Sequence, residues 1–192
     1  MIILNDISKN YGEKTVIGSL SAEFDPHRRY AIMGPSGCGK TTLFRLISGL
    51  EAPDSGSISG LENSKISAVF QNDRLCGNLS AYANVKIVCG KEVSKNDILS
   101  ALARVGLEND AYKNADSLSG GMKRRCAIVR ALLSDYDLLL LDEPFNGLDN
   151  AAKQVTADYI NEKSGDRGMI MITHNEAEAK LLDCETLTLF KH

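Results

Sequence analysis

Gly34-Pro35-Ser36-Gly37-Cys38-Gly39-Lys40-Thr41 is the stretch that decides the fold of this chain. It matches the phosphate-loop pattern G-x-x-x-x-G-K-[ST] at every fixed position. An apolar run at residues 30–33 predicts a buried strand before the loop, and a helix is predicted from about residue 40 to 48. In such a loop backbone N–H groups surround phosphates, Lys40 adds positive charge, and Thr41 offers a hydroxyl to Mg²⁺. The flanking elements favour this interpretation over a simple glycine-rich turn.

A second pattern suited to anions lies further along the chain. Leu118-Ser119-Gly120-Gly121 places a serine and two glycines at a predicted helix start, and that helix runs to about residue 133. The first turn of a helix attracts negative charge. One nucleotide needs only one phosphate loop. The second pattern therefore raises the question of whose phosphates it holds.

Two acidic residues follow an apolar strand. Leu138-Leu139-Leu140-Leu141 predicts a strand buried on both faces, and Asp142-Glu143-Pro144 comes next. Beside a phosphate loop, Asp142 is expected to hold the Mg²⁺ shell, and Glu143 to polarise water as a general base. Two acids after an apolar run also occur as a solvated turn. The functional interpretation is favoured because strand ends and ligand sites coincide in open parallel sheets.

The remaining pattern predicts an α/β fold in a single domain over residues 1–192. Strands are predicted at 2–7 and 15–24, joined by a turn at 10–12, and again at 57–59, 66–70, 169–173 and 186–190. Helical spacing dominates from 72 to about 123, where Ser94 and Asp97 resemble a capping box and Gly106 suits a helix end. We expect a mixed-sheet core from residues 1–71 and 124–192, with an antiparallel β element near the N-terminus. The helical subdomain is expected at about 72–123.

Composition narrows the classes of partner. The net charge is −3 without a basic block, so no nucleic-acid partner is expected. No apolar run approaches the roughly 20 residues of a membrane span, and the N-terminus lacks a secretory signal. We therefore expect a cytoplasmic protein without direct membrane insertion. Five cysteines without a C-x-x-C pair predict free thiols.

Together these motifs resemble the ATP-binding-cassette (ABC) ATPases, and the likeness covers nearly the whole chain. The order and rough spacing match at residues 34–42, Gln71, residues 118–121, residues 138–144, residues 148–149 and His174. The resemblance implies a P-loop NTPase of the ABC type that binds ATP and Mg²⁺ and hydrolyses ATP. It also implies that two nucleotide domains pair head to tail in an ATP-dependent dimer.

The resemblance assigns roles to single residues. Ser119, Gly120 and Gly121 would cap the γ-phosphate of ATP bound to the second copy. Thr42 would extend the chain's own phosphate loop, and Gln71 would contact the metal and couple to the transporter. Asp149 matches the aspartate that crosses the dimer interface. His174 matches the switch histidine that contacts the γ-phosphate.

Other residues carry two interpretations each. Tyr11 lies where the family places an aromatic ring against adenine, although Asn-Tyr-Gly also suits a simple turn. Cys38 is either a tolerated small residue or a thiol made reactive by Lys40 and the helix start. Met122 departs from the glutamine that usually closes the signature. Lys123, Arg124 and Arg125 after it are expected to form a solvated helix face, or alternatively an anchor for a partner's acidic groups.

The expected function is that of a motor subunit of a membrane transporter, peripheral on the cytoplasmic face of the membrane. Likeness to compact stand-alone importer ATPases favours import. The alternatives are an exporter or lipoprotein-release ATPase, and a soluble cassette ATPase of translation or DNA repair. A phosphate-loop kinase or GTPase is disfavoured by residues 118–121. Integral membrane subunits are expected to dock along residues 72–88, where four side chains are either exposed anchors or core: Leu75, Leu79, Tyr82 and Val85.

Only two residues follow the last predicted strand. Many importer ATPases of the resembling family carry a regulatory region at this point. We therefore expect no regulation through such a region.

Overall fold

Five parallel strands form the central sheet, in the order Ile66–Val69, Leu138–Asp142, Gly168–Ile172, Arg29–Met33 and Glu185–Thr188. The structure, a computed structural model, describes residues 1–190. Residues 191 and 192, which follow the last predicted strand, lie outside the described residues. Each predicted strand of this sheet is present, with ends shifted by at most two residues. The strands are β3 (Arg29–Met33), β5 (Ile66–Val69), β6 (Leu138–Asp142), β7 (Gly168–Ile172) and β8 (Glu185–Thr188).

A second sheet holds the antiparallel strands in the order β2-β1-β4. Its strands are β1 (Ile2–Tyr11), β2 (Lys14–Phe24) and β4 (Ser55–Ser59). The first strand runs beyond its predicted end at residue 7, because its pairing with β2 continues to Tyr11 opposite Lys14. Parallel and antiparallel pairs thus separate into two layers, and the predicted fold class is confirmed.

Six α-helices complete the described chain, and three of them follow the prediction closely. None of the helices in residues 1–190 is long and apolar enough to cross a membrane. The sequence pattern predicted no helix at residues 150–164 or 176–181. The helices are α1 (Lys40–Ile47), α2 (Ala81–Lys86), α3 (Lys95–Arg104), α4 (Gly120–Leu132), α5 (Asn150–Ser164) and α6 (Glu176–Leu181).

The start of α3 confirms the predicted capping box. The Ser94 hydroxyl accepts a hydrogen bond from the Asp97 N–H at 3.2 Å, and the Asp97 carboxylate accepts one from the Ser94 N–H at 2.8 Å. Both donors would otherwise lack partners at a helix N-terminus. Gly106 ends the segment with a φ of +70°.

Alternate residues of β6 pack into two different apolar clusters. Leu138 and Leu140 face α1 and the antiparallel sheet, whereas Leu139 and Leu141 face the helices on the other side. This is the two-residue period of a strand covered on both faces. The helical side includes Ile98 of α3, so the region predicted as a subdomain shares its core with the parallel sheet.

The parallel topology places several chain segments at one edge. Strands β3, β5, β6 and β7 run in the same direction, so their carboxyl ends lie together. The phosphate loop follows β3, Gln71 follows β5, Asp142 ends β6, and His174 follows β7. Residues far apart in sequence therefore meet at this edge.

Candidate functional site

A cleft of about 480 Å³, here called the first cleft, opens at the carboxyl ends of these strands. It brings together most of the residues predicted to hold a nucleotide. Three further residues, Lys14, Val16 and Ile172, were not predicted; the first two come from the start of β2. The predicted residues that line the cleft are Gly34, Ser36, Gly37, Gly39, Lys40, Thr41, Thr42, Gln71, Asp142, Glu143 and His174.

The loop of the first cleft requires glycine where it turns into α1. Gly39 has a φ of +98°, and a Cβ atom there would lie 2.9 Å from the carbonyl oxygen of Val16. The Lys40 ammonium donates to the carbonyl oxygens of Gly34 at 2.7 Å and Pro35 at 3.0 Å. These bonds hold the positive charge against the loop, at the mouth of the cleft.

Asp142 lies at the end of β6 and is almost fully buried. Burial, and then the negative charge of Glu143, raise its pKa to about 6, against the opposing charges of Arg124 and Lys40. A cation between these groups would relieve both costs. Thr41, Gln71 and Asp142 all line this cleft and offer oxygen atoms, the ligands that Mg²⁺ prefers. The residues present therefore fit a magnesium ion.

Glu143 and His174 are in direct contact. The Nδ1 atom of His174 lies 3.0 Å from Oε1 of Glu143. This hydrogen bond raises the pKa of His174, whose ring is otherwise exposed. Glu143 has a φ of +49°, and its N–H donates to the carbonyl of Ile172 at 2.9 Å. A left-handed backbone at a non-glycine residue costs about 1–2 kcal/mol and is frequent at functional sites.

A second cleft of about 550 Å³ lies at the starts of α4 and α5. Ser119 caps α4 by accepting from the Met122 N–H at 3.3 Å, and Asp149 caps α5 by accepting from the Ala152 N–H at 2.8 Å. Within residues 1–190, no lining residue belongs to both clefts. The second cleft is lined by Asp73, Ser119, Gly120, Gly121, Arg124, Arg125, Asn146, Gly147, Leu148, Asp149 and Ala152.

The family model described as ABC transporter matches residues 17–146, which is more than half of the chain. This chain belongs to the ABC transporter family. The predicted family resemblance is thereby confirmed.

Curated relatives of this ABC chain include proteins named for import and one named for lantibiotic transport. An Fe(3+) ions import ATP-binding protein of Vibrio cholerae is 34% identical over 194 residues, covering 93% of this chain and 55% of the relative. A spermidine/putrescine import ATP-binding protein of Bacteroides fragilis is 34% identical, covering 95% and 43%. A lantibiotic transport ATP-binding protein of Streptococcus pyogenes is 35% identical, covering 90% and 79%. The chain thus spans about half the length of the first two relatives.

Solved ABC cassettes share the fold across almost the entire chain. A bacterial ABC transporter cassette solved as a dimer aligns with a TM-score of 0.82 at 25% identity, covering 98% of this chain and 94% of that one. An ATP-binding cassette in a dimeric post-hydrolysis state bound to ADP and Pi aligns with a TM-score of 0.86 at 24% identity, with the same coverage.

Two predicted site residues of the ABC chain are in the lining described for neither cleft. Tyr11 is 44% exposed, and its hydroxyl donates to the carboxylate of Glu51. Cys38 is only 4% exposed and packs into the apolar cluster around α1, with its Sγ atom 4.0 Å from Nζ of Lys40. Burial restricts access of reagents to this thiol, which counts against the predicted reactivity of Cys38.

Arg124 and Arg125, which follow Gly120-Gly121 and Met122, do not belong to a solvated helix face, so the prediction of such a face is wrong for these two residues. Arg124 is 4% exposed and donates to the carbonyl oxygens of Phe70 and Gln71. Arg125 donates to the carbonyl oxygens of Val105 and Gly106 at the end of the α3 segment. A sequence signal existed, since Arg124 lies on the buried stripe of α4 at helical spacing with Ala127, Ile128 and Ala131.

Proposed function

We propose that this chain is an ATP-binding and ATP-hydrolysing motor subunit of a membrane transporter, and that two copies work as a head-to-tail pair. The observation that carries the proposal is the presence of two separate clefts on one chain, each lined by a sequence motif suited to phosphate. The first has the lysine loop and the acidic pair, and the second has a serine-capped helix start. In a two-fold pair, the first cleft of each copy faces the second cleft of the other.

The first cleft would hold the chain's own ATP. Backbone N–H groups of residues 34–42 would surround the phosphates, and Lys40 would release its loop carbonyls to bind them. Thr41, Gln71 and Asp142 would hold Mg²⁺, which neutralises charge on the β- and γ-phosphates when bound. Glu143 would then accept a proton from the attacking water. Its contact with His174 keeps the carboxylate oriented toward the cleft.

The second cleft would hold the γ-phosphate of the partner's ATP. Ser119, Gly120 and Gly121 offer a hydroxyl and the free N–H groups of the first turn of α4. Asp149 would cross to the other copy from the start of α5. Because ATP then contacts both chains only in the closed pair, its higher affinity for that state drives closure.

Adenine is assigned to the side of the first cleft formed by β2. Lys14 and Val16 line this side, and the exposed ring of Tyr11 lies opposite Lys14 in the β1–β2 pairing. Stacking on this ring would add affinity for any base. The bond from the Tyr11 hydroxyl to Glu51 would fix the position of the ring.

The membrane subunits are assigned to the helical region, residues 72–88, within a subdomain at about 72–123. A hollow of about 260 Å³ lies at the start of this segment, lined by Asn72, Arg74, Leu75 and Lys123 among others. Val85 is fully buried and so packs the chain's own core. Ile87 is 59% exposed and is a better candidate anchor. Docking there would hold the subunit on the cytoplasmic face of the membrane.

Import is the favoured direction, because relatives named for import of Fe(3+) ions and of spermidine/putrescine match over more than nine-tenths of this chain. Export stays the second candidate, because the relative named for lantibiotic transport, a name that gives no direction, is covered over more of its length. The site itself is the same in both cases.

The variant Glu143→Gln tests the proposal. Loss of the general base should slow ATP hydrolysis by about 100-fold or more, so that an ATP-bound dimer accumulates at saturating Mg·ATP. Size-exclusion chromatography with light scattering measures the mass. Glu108→Gln, at an exposed glutamate between α3 and α4, is the matched control and should hydrolyse ATP like the wild type. A Glu143→Gln chain that stays monomeric would contradict the paired arrangement.

A further inference from the structure

Arg124 connects the two clefts through a single side chain. It lines the second cleft, four residues after the start of α4 at Gly120. Its guanidinium group binds the backbone directly after the end of β5, at Phe70 and Gln71. Gln71 lines the first cleft. The proposed metal ligand of one cleft is thus joined to the helix that opens the other.

The geometry of this contact is rigid. Nη1 of Arg124 donates to the carbonyl oxygen of Phe70 at 2.6 Å, and Nη2 donates to that of Gln71 at 2.5 Å. The planar guanidinium fork fixes both carbonyls relative to α4. Water competes little for these bonds, because Arg124 is 4% exposed.

Asp73 completes the contact from the same segment. Its Oδ1 atom lies 3.1 Å from Nε of Arg124, a close charge pair without hydrogen-bond geometry. Asp73 also lines the second cleft. Burial raises the pKa of Asp73 against the charge of Arg124. The pair therefore holds residues 70–73 against α4, between Gln71 in the lining of the first cleft and Arg124 in the lining of the second.

A second arginine of α4 makes similar bonds without facing either cleft. Arg130 donates to the carbonyl oxygens of Arg74 at 2.8 Å and Asp73 at 2.9 Å. It is absent from the described linings of both clefts. Arg124 lies roughly 6 Å along the helix axis from the start of α4, whereas Arg130 lies near the end of that helix. Arg130 can therefore anchor residues 73–74 to α4, but only Arg124 is close enough to the helix start to affect its position.

We propose that Arg124 is a positioning residue that sets the helix start of the second cleft according to the position of Gln71 in the first. Mg·ATP bound in a chain's own cleft fixes Gln71, and Arg124 carries that position to Ser119 and Gly120. The second cleft is then ready for the partner's ATP. The inference rests on the proposed function, since it needs two clefts that serve two nucleotides.

The test uses Arg124→Lys in the Glu143→Gln chain. Lysine keeps a positive charge near Asp73 but cannot bind two carbonyls in a fixed plane. Binding of Mg·ATP to the dilute monomer, measured by calorimetry, should stay within about twofold of the parent. The chain concentration needed for half-maximal association at saturating Mg·ATP should rise by about tenfold or more. A purely structural role would not separate these two measurements.

Arg130→Lys in the same parent is the matched control. It loses bonds of the same kind, to the same segment, from the same helix. Both the binding of Mg·ATP and the association of two chains should stay within about twofold of the parent. An equal loss of association in Arg130→Lys would show that any anchoring bond suffices, and would overturn the proposal.

The other possible results of the Arg124→Lys experiment each refute a stated claim. Association of Arg124→Lys at the parent's concentration overturns the inference, and so does a parallel loss of monomer binding. Failure of the parent itself to associate refutes the proposed function and the inference with it. If Arg124→Lys does not fold, Arg124→Gln replaces it, because its amide retains two donors. Failure of both variants to fold makes Arg124 a structural residue and overturns the proposal.

Discussion

Gly39 occupies the point where the phosphate loop becomes α1, and its backbone excludes other residues. Its φ of +98° is costly for any residue with a Cβ atom, and that atom would meet the carbonyl oxygen of Val16. Gly49 offers the contrast, since its φ is +71° but no heavy atom lies within 4 Å of an added Cβ. The same left-handed conformation thus belongs to the phosphate loop at Gly39 and to an ordinary helix end at Gly49.

We therefore predict different outcomes for two alanine variants. Gly39→Ala should lower the free energy of unfolding by about 3 kcal/mol and weaken Mg·ATP binding by at least about tenfold, because strain and overlap both displace the loop. Gly49→Ala should cost about 1 kcal/mol from strain alone and bind Mg·ATP normally. Urea unfolding and calorimetry measure the two quantities. Normal nucleotide binding by Gly39→Ala would refute the role assigned to the loop.

At the residue scale, contiguous motifs were predictable and contacts between segments were not. Lys40 and Asp142 fall inside local patterns, and both line the first cleft. The role of Arg124 depends on carbonyl groups of the β5 end, more than 50 residues earlier in the chain. The contact between His174 and Glu143 likewise depends on β6 and β7 being neighbours. Sequence spacing alone does not contain that information.

At the scale of elements, capping residues predicted where two of the helices begin. Ser94 and Asp97 marked the start of α3, and Ser119 marked that of α4. Helix α5 also has a capping residue, Asp149, but its apolar spacing did not predict a helix, because Val155 on it is 44% exposed while Ala157, Tyr159 and Ile160 are buried. Its apolar residues do not form one clean stripe, so tertiary packing decides its conformation.

The capping box of α3 predicts a dependence of stability on pH. Its hydrogen bonds to Ser94 lower the pKa of Asp97 below the ordinary value of 3.8. A carboxyl with a lowered pKa stabilises the folded chain above its unfolded pKa, and that contribution is lost as the pH falls through the folded pKa. Asp97→Asn should lower the Tm by about 2–4 °C at neutral pH and progressively less below about pH 4.

Thermal unfolding between neutral and acidic pH checks this expectation. Asp166→Asn, at an exposed aspartate after α5, is the control and should show no such convergence with the wild type. A difference between Asp97→Asn and wild type that stays constant down to about pH 3 would count against the cap.

At the scale of the whole molecule, strand order brings the first cleft together. The order β5-β6-β7-β3 places Gln71, Asp142, His174 and the loop at one edge. The sequence predicted two motifs suited to phosphate and, through the family resemblance, a head-to-tail pair of chains. It did not show that, among residues 1–190, the clefts share no lining residue, because the separation depends on how α4 and α5 pack.

The proposed membrane partner gives a prediction at this scale. The tagged chain should be recovered from detergent-solubilised membranes together with an integral membrane protein. Ile87→Glu places a charge on the proposed docking segment and should reduce that recovery by about tenfold, because burying an unpaired charge is costly. Quantitative gel analysis of the recovered protein measures the loss.

Val155→Glu is the control for that experiment. Val155 is also an exposed apolar residue, but it lies on α5, outside residues 72–88. Recovery with this variant should be unchanged. Recovery of the wild-type chain with ribosomes or DNA, and not with a membrane protein, would instead favour the soluble class of cassette ATPase.

The separation of the two clefts has a consequence for inheritance. In the proposed head-to-tail pair, a chain with a defective lysine loop would still present its Ser119 helix start to a normal chain. In a cell that makes both forms in equal amounts, random pairing leaves only about a quarter of the pairs fully normal. Defects in one cleft should therefore be dominant, whereas defects that unfold the chain should be recessive.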